Sequence, residues 1–437
     1  HIESCTAAGG GAGGGLLVSG SAASVQLARV LVESCAASAA DGGGLWAANS
    51  GRLAAADLTV VSCSAAGSGG GLGAGSSGVV DVRRAHLSHC FAALDGGGLG
   101  CLGDAHCAFD SVIVSHGTAG RIGGGAAAAT GGMLVGANVT VVFSNATLSG
   151  GGLAASNGNI SLTNSTIADN VASCIGAGLA AGGGGVWVEA SLVSLDAAVI
   201  ARNRAVGGSG GGLLASAAGA EADVVVTASS LEANTADRGG GLFARHATKL
   251  RLAGCTVAAN IAAGPVACGS TAVSIAAVEA AARASDTVGG GGGLWLGGVS
   301  AGVVIADTIL ERNVASGCGG GALILDAAVP TLTAVTFRAN LALCGGGLAV
   351  LGEGGLVRLG VCDVAVELAG HRRHVFLHVV HQLAELGDLR RGVLQSIAEL
   401  AKLAGAYGWC AGSRACARCR PTTTIRSIST LWLPIST

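Results

Sequence analysis

Apolar residues in this chain come in short runs, and small polar residues or glycine close each run. Asp57-Leu-Thr-Val-Val-Ser62, Asn138-Val-Thr-Val-Val-Phe143, Asp223-Val-Val-Val-Thr227 and Gly302-Val-Val-Ile305 are representative. Val, Ile, Leu and Thr in such runs, fenced by Gly, Ser, Asn and Asp, predict β-strands. No stretch before about residue 362 keeps a helical period over ten residues.

The strands recur with glycine. Runs of glycine end at Leu16, Leu45, Leu72, Leu99, Ala126, Leu153, Val186, Leu213, Leu242, Leu294, Ala322 and Leu348. The interval is 26 to 29 residues in most cases, 33 once and 52 once. A fixed period of this size specifies a solenoid, whose units bury a core only by stacking. The interval of 52 is near two periods and predicts one repeat without its glycine mark, with Asn260 belonging to it. A second mark precedes the glycines: an apolar residue three positions ahead of an asparagine, at Asn170, Asn203, Asn234, Asn260, Asn313 and Asn340. Cys35, Ser64, Cys90, His116 and Asn145 take the equivalent slot in earlier repeats.

Three short strands and three turns in about 27 residues fit one coil of a parallel β-helix, with coils stacked at about 4.8 Å. Glycine serves tight corners, the following Leu or Val points inward, and stacked asparagines bond backbone that a bend would orphan. The reading is an all-β parallel β-helix of roughly 12–13 coils over residues 1–362. Gly-Gly-Gly-Leu with an apolar-x-x-Asn tetrapeptide resembles the polymorphic outer-membrane protein repeat, most closely at Phe337-Arg-Ala-Asn340 and Gly320-Gly-Ala-Leu323. The resemblance covers residues 5 to 350 and departs from the family in having a single Phe in the tetrapeptide. It implies a right-handed, pectin-lyase-like helix on a secreted or cell-surface protein, often adhesive.

Past residue 362 the glycine runs stop. Apolar residues from His374 to Leu403 follow helical spacing and predict an amphipathic helical cap over 363–405, covering strand edges that the last coil would expose. Residues 406–437 form a Cys/Thr/Ser-containing tail expected to be poorly ordered.

Composition narrows the function classes. Charged residues are 11% of the chain and the net charge is −2, with no basic stripe, so nucleic acid is not an expected partner. No apolar run is long enough for a membrane span. Sequons at Asn138, Asn145, Asn159 and Asn164 and the absence of an initiating Met are in keeping with a processed, secreted chain. With 15 cysteines at least one stays unpaired within the chain; Cys101 with Cys107, and Cys318 with Cys344, are candidate disulfides.

Candidate chemistry is sparse. Glu221, Asp223, Arg245, Lys249 and Arg251 fall on adjoining coils and form a candidate glycan-binding strip, against the plainer reading of a solvated face. His86, His89, Cys90, His106 and Cys107 match no closed zinc spacing, and Cys416 and Cys419 lack a second pair. His371, His374, His378 and His381 share a helical face and read as a polar stripe. No metal or cofactor is expected. Polygalacturonase signatures are absent: Asn234-Thr-Ala-Asp237 and Arg121-Ile-Gly123 are the nearest strings. The first expectation is therefore a non-catalytic structural or adhesive module whose lateral face binds glycans or cell-wall and surface proteins, without turnover on pectin or alginate. The alternative is a carbohydrate-active β-helix enzyme with degenerate motifs, favoured if acids gather in a lateral groove. A third is a piece of a membrane-anchored receptor-like protein.

Overall fold

A computed structural model describes residues 1–174, 181–264, 290–298, 302–325, 330–343, 345–351, 357–359 and 377–379. Within them the chain winds as an all-β parallel solenoid. One sheet collects the longer strands, and a second stacks eleven two-residue strands from Thr6–Ala7 to Val314–Ala315, giving about 11 turns. Val79–Ser88, Phe91–Ala92 and Leu99–Leu102 make up one representative coil. Every strand pair is parallel, and apart from a shift between Ala217 and Ala222 equivalent positions face each other in register: Val79 opposes His106, Phe91 opposes Thr118 and Leu99 opposes Ala126.

The turn count corrects the 12–13 coils expected. Leu242 pairs directly with Leu294, and Asn260 hydrogen-bonds Asn313. The 52-residue interval is thus a single coil, not two, and its extra length falls in residues 265–289, outside the described residues.

The sequence marks become columns. Leu45, Leu72, Leu99, Leu153, Leu213, Leu242 and Leu294 point inward and are at most 2% exposed. Burying a leucine this completely contributes roughly 1.5–3 kcal/mol. In the glycine runs each position has its own reason. Gly96 has φ +65°, where a side chain is strained, and a Cβ on Gly97 would collide with the backbone of Thr118 and Gly124. Left-handed residues that are not glycine bend the chain between strands, at His89, His116 and Arg202, and within the longer strands, at Asp57 and Arg84. Such conformations persist where neighbouring structure over-determines them, here the coils on both sides.

Beside the leucine column runs a column of amides. Asn170 Nδ2 donates to Asn203 Oδ1 at 3.0 Å and to the Val141 carbonyl at 3.0 Å. Asn203 Nδ2 donates to Asn234 Oδ1 at 3.1 Å, and Asn234 to Asn260, Asn260 to Asn313 and Asn313 to Asn340 at 3.0 Å each. Each receiving oxygen also takes the backbone N–H of the preceding asparagine. The first five of these asparagines are at most 1% exposed. In the earlier coils the register corrects the slot: Cys5, Cys35, Cys63 and Cys90 occupy it, followed by Gly117 and Ser144, while Ser64, His116 and Asn145 sit one position away. Burial pushes the Cys63 thiol up to about 12 and Cys90 up to about 11.

Of the expected helical cap, only Leu377–Val379 is described, and it is a strand pairing with Val357–Leu359. Local extension of the sheet outweighs helical spacing at those residues. The rest of 363–405 and all of 406–437 lie outside the described residues.

Two outcomes follow. Asn234→Leu removes an amide that four hydrogen-bonding groups depend on, and lowers the unfolding free energy in urea by about 1–3 kcal/mol; an unchanged midpoint would contradict the ladder's role. Cys63 and Cys90 resist alkylation at pH 8 in the folded chain and react after unfolding, because their thiolates are suppressed and shielded. Rapid native labelling, read by mass spectrometry, would show the opposite.

Candidate functional site

The lateral face carries chemistry where the period is broken. Between Ser216 and Asp223 the chain uses residues 217–222, where the preceding coil uses only Ala190 and Ser191. The register against the next coil also shifts between Ala217 and Ala222. This longer corner stands beside coils with short corners, and a depression of about 440 Å³ opens there. Gly131, Asn157, Gly158 and Ser191 contribute to its lining, together with Asn159, Glu221, Asp223 and Lys249. Gly158 is required at this place, since a Cβ would meet the Ala128 and Ala129 backbone at 2.7–2.9 Å.

Strand geometry places the charged groups. Glu221 and Asp223 are two positions apart and share the outward side of one strand. Lys249 lies opposite Asp223 on the next coil and is ion-paired with Glu221. The Glu221 hydrogen bond and charge, with Asp223 behind them, hold the Lys249 ammonium above the ordinary lysine range. Arg251 stands two positions further on, opposite Val225, and does not line the depression. Arg245 lies on the other limb of its strand, opposite Ser216, and bonds the His246 imidazole. The structure therefore gathers Glu221, Asp223 and Lys249 from the expected strip and leaves Arg245 and Arg251 outside.

A second depression, of about 390 Å³, is lined by Asp81, Arg83, Asp110, Gly136, Ser161 and Thr163 among others. It adjoins the first across one strand, where Asn159 lines one depression and Ser161 the other. Gly136 lies in register between Phe109 and Leu162 and takes their inward-facing place, where a Cβ would meet the Val139 and Leu162 side chains at 2.6–3.0 Å. Arg83 approaches Asp81 at 3.6 Å. The two depressions give an open lateral trough with an acid–base cluster at each end and amides and hydroxyls between. Sequence reasoning found Glu221, Asp223 and Lys249 as charges on adjoining coils. It missed Asn157, Ser161, Ser191 and Gly136, which have no mark apart from register.

The other candidates are dispersed. Cys90 is in the core, and Cys107 is in a disulfide with Cys101 that closes a corner. His89 stacks on His116 at 4.6 Å, His116 on Phe143 at 5.3 Å, and His86 Nε2 is 3.2 Å from Ser115 Oγ. Cys318 is disulfide-bonded, and Cys344 lies outside the described residues. Cys416, Cys419 and His371, His374 and His381 also lie outside, and of His378 only the backbone is described. Among the described residues, no three His, Cys, Asp or Glu side chains form a metal-binding group. No helix among them is long and apolar enough to cross a membrane.

No family model and no curated protein matches the chain. A solved structure, a mannuronic acid specific polysaccharide family 6 lyase from human gut microbiota, is similar at a TM-score of 0.25 and 8% identity, covering 86% of this chain and 88% of that one. The expected non-catalytic structural or adhesive module is corrected on the geometry of the chain itself: Glu221, Asp223 and Lys249 meet in a lateral depression, the feature that distinguishes the carbohydrate-active alternative.

Because Lys249 is stabilised in its charged form, the Glu221 pair is present below the ordinary lysine range and is lost only as pH rises through the elevated value. Carbon-detected NMR should find Lys249 titrating above the value of a lysine side chain in a short unstructured peptide, and Glu221→Gln should bring it down. A wild-type titration at the ordinary position would contradict the pair.

Proposed function

We propose that the protein is a carbohydrate-active β-solenoid that cleaves an anionic, uronic-acid-containing polysaccharide by β-elimination in the lateral trough. The observation that carries the reading is the meeting of Glu221, Asp223 and Lys249 in one open depression. Elimination needs a positive charge on the sugar carboxylate, to make the neighbouring C5 proton acidic, and a base to take that proton. Lys249, held protonated, suits the first task and is unsuited to the second. A sugar carboxylate that pairs with Lys249 competes with Glu221 and frees it. Glu221 then accepts the C5 proton, the C5–H electrons form the C4–C5 double bond, and the C4–O bond breaks. The departing oxygen takes a proton from water. Asp223, opposite Lys249, keeps the ammonium charged and in place while Glu221 is disengaged.

An open trough accepts an extended polymer from the side, with Asn159, Ser161 and Thr163 offering hydrogen bonds to sugar hydroxyls. A polymeric glycan as substrate, and the Cys101–Cys107 disulfide, favour a secreted or cell-surface setting. The repeat-family membership suggested by the glycine and asparagine marks belongs to the same reading.

The test is incubation of the full chain with pectate or alginate, with and without added calcium, following both reducing ends and the ultraviolet absorbance of unsaturated uronate. Elimination raises both signals. Glu221→Gln and Lys249→Met each lower the rate by roughly 10²–10⁴-fold. Reducing ends without absorbance would replace elimination by hydrolysis, and no product from either polymer would overturn the proposal.

A further inference from the structure

We infer that Asn164 is an N-glycosylation site whose glycan stands beside the trough. Four sequons, beginning at Asn138, Asn145, Asn159 and Asn164, fall on two adjacent coils, and all four asparagines are exposed. Their surroundings separate them. Asn138 donates its Nδ2 to Asp110 Oδ1 at 3.3 Å. Asn145 Oδ1 accepts from Ser173 Oγ at 3.4 Å. Asn159 Oδ1 accepts from the Leu192 backbone N–H at 3.2 Å, and the residue lines the first depression. The Asn164 side chain has no hydrogen-bond partner among the described residues, and it projects from a bend in the left-handed conformation, φ +48°. The next coil carries Ala197 at that bend, with only a methyl group beside the amide.

Position gives the modification a consequence. Thr163 lines the second depression, and Asn164 follows it around the corner. A glycan there borders the trough without filling it, whereas one on Asn159 would occupy the floor. The donor is a lipid-diphosphate-linked oligosaccharide. The Asn164 Nδ2–C1 bond forms, the C1–O bond to the diphosphate breaks, the lipid diphosphate leaves with the electron pair, and the amide loses one proton. Thr166 supplies the hydroxyl that the sequon requires two positions on. The inference shares only the extracytoplasmic setting with the proposed function, and its test does not involve turnover.

The experiment directs the full chain, behind a heterologous leader, into a eukaryotic secretory pathway. Glycopeptides of the secreted protein are then mapped by mass spectrometry after enzymatic deglycosylation in heavy-oxygen water. Asn164 should be labelled in the wild type and in Thr166→Ser, and unlabelled in Thr166→Ala. Secreted wild-type protein with Asn164 unmodified would overturn the site, whether or not Asn138, Asn145 or Asn159 is occupied. If Thr166→Ala is not secreted, the wild-type and Thr166→Ser maps decide the question.

Discussion

Each coil of this protein is held by its copy, at a rise of about 4.8 Å, in a register that the inner columns keep even past the shift at Ala217–Ala222. That constraint governs what every position can be. A side chain that points inward must tolerate the same side chain directly above and below it, and Leu45, Leu72 and Leu99 do so by stacking apolar surface. A polar side chain in the interior must find its partner in the same direction. Asparagine meets this requirement alone, because its amide donates along the column from one end and accepts at the other. From Gly117 to Asn313, each backbone N–H in that slot is received by the side chain on the following coil: Ser144 Oγ for Gly117, Asn170 Oδ1 for Ser144, and then asparagine throughout.

The first coils solve the same problem differently. Cys35, Cys63 and Cys90 fill the slot with thiols that donate weakly to nearby carbonyls at 3.4–3.5 Å. A thiol packs as a small apolar group and leaves little polar capacity to satisfy. These coils therefore depend more on packing and less on side-chain hydrogen bonds than the asparagine coils. The exchange from Cys90 through Gly117 and Ser144 to Asn170 is gradual, and neither ladder ends on a large side chain that the other could not accommodate.

Much of the fold was legible because stacking imposes a period, and a period is visible in one sequence. Leu16 to Leu348 and the six asparagines were read as columns from spacing alone. Errors arose where spacing underdetermines register. A 52-residue interval fits two coils as well as one coil with a long corner, and only the pairing of Leu242 with Leu294 separates them. Ser64, His116 and Asn145 are one residue from the slot, a shift that turns a side chain to the other face of a strand. The site was less legible still. Glu221, Asp223 and Lys249 are recognisable as charges, but their convergence depends on a register shift at Ala217–Ala222 that leaves no mark in composition.

This difference has a physical origin. A perfect repeat makes every coil present the same outer surface, and a uniform surface has no concave place for a substrate. Concavity needs neighbouring coils to differ. Here residues 217–222 lengthen one corner beside Ala190 and Ser191. This change does not disturb the inner columns: Val224 and Val226 remain fully buried past the long corner, as do Leu213 ahead of it and Leu242 on the next coil. The ladders absorb the departure because it is confined to a corner. The regular interior is thus the condition for an irregular exterior, and the residues that carry function are those that the repeat does not predict.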